Sequence, residues 1–168
     1  MKTLTAEPLT QNSFIGFGEV IEADHDKSFL INEGTTRRFH ALATTDVMQN
    51  NGEAILSIFR STPRDMPLSI SMMERHPLGS QAFMPMSQNN WLVLVARGVD
   101  TPEPETLRLF SARGDQGVQY GKNIWHHPLL VLGERQDFLI VDRKGEGENL
   151  EEHHYAEPVA VISLDQDG

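Results

Sequence analysis

Two short segments of the chain combine side chains that can move protons and bind a small acid. Glu74, His76 and Gln81 fall within eight residues of one another, and Tyr120 and His126 stand in a second cluster about forty residues later. Imidazole and carboxylate groups exchange protons near neutral pH, and amide and phenol groups supply hydrogen bonds. The two segments therefore predict one pocket that is lined from two sides.

The spacing of the first cluster indicates a strand that ends in polar residues. Side chains alternate between faces in a strand, so a strand over residues 68–76 places Glu74 and His76 on one face with Leu68, Ile70 and Met72. In a β-barrel, such a face is packed at depth and turns polar at the mouth, where ligands bind. An exposed acid–imidazole pair at a strand end explains the pattern equally well.

The adjacent histidines of the second cluster cannot both face one pocket if they lie in a strand. We expect at most one of His126 and His127 to point into it. Pro77 and Pro128 keep His76 and His127 in an extended backbone. This restraint suits a binding site and a tight turn alike.

Two arginines and one aspartate stand at the ends of predicted strands. Arg60 could bind a carboxylate through two hydrogen bonds, although a surface position explains it better when it is considered alone. Arg75 points away from Glu74 unless a bulge intervenes or it enters the site of a neighbouring subunit. Asp142 is either a solvated strand end or a carboxylate at the same rim as Glu74.

The elements that position these residues are predicted to be strands. Helical signals are limited to single turns after Thr10 and Thr45, and residues 144–152 predict a solvated loop with one strand after it. Short strands separated by Gly, Pro and Asn indicate a mainly β barrel or sandwich with a few short helices. The predicted strands cover residues 54–60, 68–76, 91–97, 129–132, 137–142 and 158–163.

Length, net charge and the absence of cysteine exclude several classes of protein. The 168 residues fit one domain over 1–168, and the formal charge of −10 leaves no basic stripe for nucleic acid. The absence of cysteine excludes disulfides, iron–sulfur clusters and thiol nucleophiles. We predict a cytoplasmic protein with no membrane contact, because neither a signal peptide nor a span-length apolar run is present.

Residues 74–86 resemble the signature of the bacterial ureidoglycolate lyase family, also called ureidoglycolate hydrolases. Residues 116–120 and 123–129 resemble the same family, and the similarity extends from Leu9 to Arg143. The resemblance implies a cupin-like β-barrel (a double-stranded β-helix or jelly roll) and a homodimer. It also implies cleavage of (S)-ureidoglycolate to glyoxylate and urea, in the allantoin branch of purine catabolism.

The resemblance also implies a set of metal ligands. Matched to the cupin pattern, His76 and His126 take ligand positions, Gln81 stands where a glutamate is usual, and Leu78 replaces a second histidine. Three neutral groups hold a divalent ion weakly. The ion that the resemblance implies is Ni²⁺, although the sequence does not require one.

The chemistry of ureidoglycolate then assigns roles to the two clusters. The substrate needs a base for its hydroxyl proton, a partner for its carboxylate and a donor to the departing urea nitrogen. We expect His126 or His76 to act as acid or base, with Glu74 orienting it or sharing the proton. The expected substrate-binding side chains are Arg75, Arg60, Gln81, Tyr120 and Asn123.

Two other functions remain open from the sequence. One is a hydrolase that attacks the ureido carbonyl of the same substrate with water and releases ammonia. The other is a cupin-type module that binds a small carboxylate without turnover, which would use the arginines but neither His76 nor His126.

Overall fold

The computed structural model describes residues 1–164, and the expected domain over 1–168 extends into residues 165–168, outside that range. The described chain is built from short strands. The strands are β1 Lys2–Leu4, β2 Glu7–Pro8, β3 Gly18–Ile21, β4 Ser28–Ile31, β5 Thr36–Phe39, β6 Glu53–Ser61, β7 Leu68–Ile70, β8 Met72–Arg75, β9 Gln81–Pro85, β10 Trp91–Ala96, β11 Arg108–Ala112, β12 Gly117–Tyr120, β13 Trp125–His126, β14 Leu130–Val131, β15 Gln136–Lys144, β16 Glu151–His154 and β17 Ala160–Ile162.

The only helical elements within residues 1–164 are single 3₁₀ turns. Thr10 opens a turn as expected, since its side chain accepts a hydrogen bond from the Ser13 N–H, but no helix follows. In this range no helix has the length and apolar character needed to cross a bilayer. The four 3₁₀ turns are His25–Lys27, Asn32–Gly34, Gln49–Asn51 and Pro104–Thr106.

Hydrogen-bonded pairing arranges the strands in four sheets. A seven-stranded sheet has the order β16-β8-β13-β10-β11-β2 with β14 beside β10, and a five-stranded sheet has the order β3-β12-β9-β15-β6. Strands β1, β17 and β7 form a third sheet, and β4 pairs only with β5 among the described residues. The mainly β prediction is confirmed. Pairing does not close these sheets into a barrel within residues 1–164.

Strand β10 shows why the layers hold together. Val93 and Val95 join an apolar cluster with residues of the five-stranded sheet, whereas Leu92 and Leu94 join a second cluster with the three-stranded sheet. A strand buried on both faces has a continuous apolar sequence, as residues 91–96 do. Phe138, on the opposite side of the first cluster, is fully buried. Burial of one such side chain contributes about 1.5–3 kcal/mol.

The strand predicted over residues 68–76 is wrong as a single element. It is interrupted at Ser71, because β7 pairs with β17 in the small sheet and β8 pairs with β13 and β16 in the large one. The break shifts the alternation, so Ile70 and Met73 are buried in the same cluster. Ile70 and Glu74 therefore do not share a face, contrary to the expectation.

The loop predicted over residues 144–152 is also shorter than expected. Strand β15 continues through Lys144, and β16 begins at Glu151. Two strands follow the loop instead of one, because β16 adds to the edge of the large sheet beside β8. The segment that remains, residues 145–150, is the one that reaches the functional site.

Candidate active site

The candidate site is a cavity between the two large sheets, at one end of the first apolar cluster. Its volume is about 430 Å³, which suits a small molecule. Apolar walls come from Phe59 and Phe83 on the five-stranded side. The polar side chains at its surface are Arg60, Ser61, Arg64, Glu74, Tyr120, His126 and His127.

Strand pairing places Glu74 and His126 together. They are directly opposite in the antiparallel pair of β8 and β13, so their side chains project to the same face. The His126 Nε2 atom lies 3.6 Å from the Glu74 Oε1 atom. His76, which follows β8, places its ring centroid 5.2 Å from that of His126. The three residues predicted to be catalytic are thus brought together.

Backbone carbonyls orient both imidazole rings. His76 Nδ1 lies 2.8 Å from the Asn149 carbonyl oxygen, and His126 Nδ1 lies 2.9 Å from that of Ile124. A carbonyl oxygen only accepts, so each Nδ1 carries a proton, and in the neutral form of the ring Nε2 keeps its lone pair. Both Nε2 atoms are buried and have no hydrogen-bond partner within residues 1–164.

Three groups with free electron pairs therefore converge, and none of them donates a hydrogen bond to another. The ligand atoms of Glu74, His76 and His126 all lie within 4.8 Å of one another. Two neutral imidazoles and a carboxylate suit a divalent transition metal, and fixing Nδ1 by a carbonyl is the usual outer contact of a metal-bound histidine. These residues fit a metal ion, and Glu74 adds a charge that the ligand set expected from the sequence lacked.

The surroundings shift the pKa values of the site residues. Burial lowers the pKa of His126 to about 3, assisted by the nearby His76, so His126 is neutral at pH 7. Burial raises the pKa of Glu74, an effect that His76 and Arg64 partly oppose. Burial, with a smaller effect of Glu74, also raises the pKa of Tyr120, which keeps its phenol neutral.

Gln81 lies beside this group without bordering the cavity. It is opposite Tyr120 in the β9–β12 pair, and its Nε2 donates to Asp142 Oδ2 at 3.1 Å. Its Oε1 is buried and lacks a hydrogen-bond partner in the described chain, as do the two histidine Nε2 atoms. Gln81 thus keeps a free acceptor, and the carboxylate of Asp142 is used to orient its amide.

Of the two arginines predicted to bind substrate, only Arg60 borders the cavity. Its guanidinium is held by Asp137 through two hydrogen bonds of 2.9 and 3.0 Å, and its side chain is 60% exposed. Arg75 points to the other face of the sheet, as the alternation predicts, where it lies 4.3 Å from the Trp125 ring centroid. Arg75 also binds Glu151 at 2.6 Å.

Asn123 and His127 differ from their expected placement. The Asn123 side chain is exposed, and its backbone has a positive φ of 61°, which asparagine tolerates in tight turns. Its N–H donates to the His76 carbonyl at 3.0 Å. His127 borders the cavity together with His126, because the strand ends at His126 and Pro128 turns the chain.

Sequence reasoning missed Arg64 and Asn149. Arg64 borders the cavity in the loop after β6 and forms no ion pair within residues 1–164. Its place between Pro63 and Pro67 in a short loop is a signal that could have drawn attention to it. Asn149 stands in an acidic loop whose composition gives no such signal.

Comparison with known proteins assigns the chain to a family. The family model described as ureidoglycolate lyase matches residues 1–162. The chain belongs to the ureidoglycolate lyase family. The resemblance based on residues 74–86 and 116–129 is thereby confirmed.

Relatives named ureidoglycolate lyase match this family member over nearly their whole length. The protein of Pseudomonas syringae pv. syringae (strain B728a) is 52% identical over 162 residues, covering 96% of this chain and 95% of the relative. That of Pseudomonas putida (strain GB-1) is 49% identical, with 96% and 97% covered. That of Pseudomonas savastanoi pv. phaseolicola (strain 1448A / Race 6) is 51% identical, with 96% and 95% covered.

Proposed function

We propose that this chain is a ureidoglycolate lyase that splits (S)-ureidoglycolate into glyoxylate and urea. The observation that carries the proposal is the cluster of Glu74, His76 and His126, whose ligand atoms lie within 4.8 Å of one another, with Glu74 and His126 lining the cavity. Membership of the family and relatives of that name at about 50% identity support it. An arginine without an ion pair in the described chain, Arg64, stands at the same cavity.

The proposed reaction requires the movement of one proton. Loss of the hydroxyl proton lets the C–O bond become a carbonyl, and the electrons of the C–N bond leave with the urea nitrogen. That nitrogen must then gain a proton, so the hydroxyl proton ends on urea and no water is consumed. A single residue that takes the proton and returns it completes the balance.

Glu74 is our choice for this residue. A carboxylate with a raised pKa is a stronger base than an exposed one, and it can return the proton that it takes. His126 has a pKa of about 3 and is therefore a weak base. In the proposal, its Nε2 and that of His76 are the fixed nitrogen donors that would hold the metal ion.

The same three residues would hold the metal ion of the site. His76 and His126 would bind it through Nε2 and Glu74 through one carboxylate oxygen, which leaves the other oxygen of Glu74 to take the proton, and the free Oε1 of Gln81 is a further oxygen donor. When bound, a divalent ion supplies Lewis-acid stabilisation of the charge that develops on the substrate hydroxyl oxygen. Family resemblance makes Ni²⁺ the ion we expect, and the mixed nitrogen and oxygen donors suit it.

The substrate carboxylate is assigned to Arg64. Arg60 is already engaged by Asp137, whereas Arg64 has no ion pair within the described residues. A guanidinium binds a carboxylate in two-point fashion, which fixes the substrate with its reacting carbon toward Glu74. Asn123 and Arg75 take no substrate contact in this proposal, because neither side chain borders the cavity.

We also propose that the protein is a homodimer paired along β6. This strand is nine residues long and lies at the edge of its sheet, where Leu56 and Ile58 are 72% and 59% exposed. An antiparallel pair centred on Ser57 sets Leu56 opposite Ile58 and Ile55 opposite Phe59, apolar against apolar on both faces. A long edge with an uncharged stretch over residues 54–59 favours pairing with a second copy about a twofold axis.

The proposed setting is the cytoplasm, where the enzyme acts as one domain in allantoin degradation. Product analysis tests the proposal. Purified protein given (S)-ureidoglycolate is expected to release urea and glyoxylate in equal amounts. Release of ammonia in place of urea would instead support a hydrolase, and bound ligand without any product would support a binding module.

A further inference from the structure

His76 is held in the site by a segment distant in sequence, unlike His126. The carbonyl that orients His126 belongs to Ile124, two residues earlier, so that contact is built into the local turn. The carbonyl that orients His76 belongs to Asn149, 73 residues later. The placement of one imidazole therefore depends on the loop of residues 145–150.

Asn149 contacts the chain on both sides of Pro77. Its carbonyl oxygen lies 2.8 Å from His76 Nδ1, and its side-chain Oδ1 accepts a hydrogen bond from the Leu78 N–H at 2.8 Å. His76 lies beyond the end of β8, so the ladder of the sheet does not restrain its position. The hydrogen bond from the Leu78 N–H to the Asn149 side chain holds Asn149 against this segment. The same bond therefore sets the direction of the Asn149 carbonyl.

The loop itself is anchored by a buried arginine. Arg143 is 8% exposed, and its Nη2 donates to the carbonyls of Glu146 at 2.8 Å and Gln49 at 3.0 Å. A Cβ atom at Gly145 would lie 2.7 Å from the same Nη2, so a side chain there would displace the guanidinium. The start of the loop is thus anchored by hydrogen bonds, and its end is held where Glu151 pairs with Arg75 between β16 and β8.

We propose that Asn149 is a positioning residue for His76. Its carbonyl keeps the proton on Nδ1, which leaves the Nε2 lone pair directed toward Glu74 and His126. Its side chain holds that carbonyl in place through the Leu78 N–H. The effect on turnover rests on the proposed function, whereas the effect on the tautomer of His76 does not. Removal of such an outer contact typically reduces activity or metal affinity 10- to 100-fold.

The test compares Asn149→Ala with Asn149→Asp, which keeps the Oδ1 acceptor. The exposed neighbour Glu148 provides the control variant Glu148→Ala in the same loop. Long-range ¹H–¹⁵N correlation of the histidine rings reports which nitrogen of His76 is protonated, and the His76 signals are assigned by their loss in His76→Gln. Steady-state kinetics on ureidoglycolate give kcat and KM for the same proteins.

We expect Asn149→Ala to convert His76 from a single tautomer to a mixture and to lower kcat at least tenfold with little change in KM. Asn149→Asp and Glu148→Ala should match the parent protein in both readouts. A single unchanged tautomer in Asn149→Ala, or a loss of equal size in Asn149→Asp, would overturn the inference. If the parent protein does not turn over ureidoglycolate, the proposed function is wrong. The tautomer measurement still tests the positioning role of Asn149 in that case.

Discussion

The ring of Tyr120 lies flat against the ring of His126, with centroids 4.2 Å apart and an interplanar angle of 8°. Tyr120 belongs to β12 in the five-stranded sheet and His126 to β13 in the seven-stranded sheet. The stack therefore joins the two sheets at the candidate site. It fixes the plane of the imidazole, while the Ile124 carbonyl fixes its rotation.

This stack predicts that the Tyr120 ring matters more than its hydroxyl. Tyr120→Phe keeps the aromatic face and should retain kcat within about threefold, because the phenol stays neutral and carries no proton in the proposed reaction. Tyr120→Leu removes the stack and should lower kcat by about 10- to 100-fold, the usual cost of a displaced catalytic group. If Tyr120→Phe loses as much activity as Tyr120→Leu in steady-state assays, the hydroxyl has a direct role.

The arginine assignment predicts different effects for two neighbouring substitutions. Arg64→Gln should raise KM and lower kcat/KM by about 10- to 100-fold, since a hydrogen bond between charged groups contributes about 1.5–3 kcal/mol. Arg60→Gln breaks an exposed ion pair with Asp137 and should change kcat/KM by less than about threefold. The reverse order of effects would assign the substrate carboxylate to Arg60.

An uncharged substrate analogue sharpens this test. The methyl ester of ureidoglycolate lacks the carboxylate charge, so Arg64→Gln and the parent protein should process it at similar rates. If Arg64→Gln loses as much activity on the ester as on ureidoglycolate, the substitution has damaged the structure of the site.

The proposed metal site predicts a gain in thermal stability on metal binding. Ni²⁺ added to chelator-treated, desalted protein should raise the Tm, because a ligand that binds only the folded state stabilises it. His126→Asn and His76→Asn should abolish the shift. His154→Asn serves as the control, since His154 is exposed and contacts Glu152 away from the cavity. A Tm shift that survives both site substitutions would place the ion elsewhere.

Much of the fold could be predicted from the sequence, and the exceptions have physical causes. Residues 91–96 are apolar throughout because β10 is buried on both faces, so the strand was evident. The break at Ser71 is not evident from the sequence, because it depends on which sheet each half of the segment joins. No property of Ser71 itself marks a transfer between sheets.

The candidate site was predictable where a side chain's own chemistry identified it. Glu74, His76 and His126 were named from their types and spacing, and the structure brings them together. The role predicted for Arg75 required a bulge or entry into the site of a neighbouring subunit, and β8 has no bulge, since its pairing with β16 is continuous. Asn149 acts mainly through its carbonyl oxygen, which every residue has, so only the folded structure identifies it.

The edge of β6 predicts an oligomer that a single charge can disrupt. Leu56→Glu places two carboxylates near the centre of the proposed twofold pair and should convert dimers to monomers, as measured by sedimentation velocity. Leu150→Glu adds the same charge at an exposed apolar residue outside β6 and should leave the dimer intact. A parent protein that is monomeric, or a Leu56→Glu variant that stays dimeric, would exclude this interface.

The central claim is that Glu74 moves the proton in the cleavage of ureidoglycolate. Its most direct test is the rate of glyoxylate release by Glu74→Gln, with Glu157→Gln as the control, because Glu157 is exposed and does not border the cavity. We predict that Glu74→Gln loses at least about 100-fold in kcat, within the range that general acid–base catalysis contributes, while Glu157→Gln stays within a few-fold. A folded Glu74→Gln protein that releases glyoxylate at the parent rate would contradict the account.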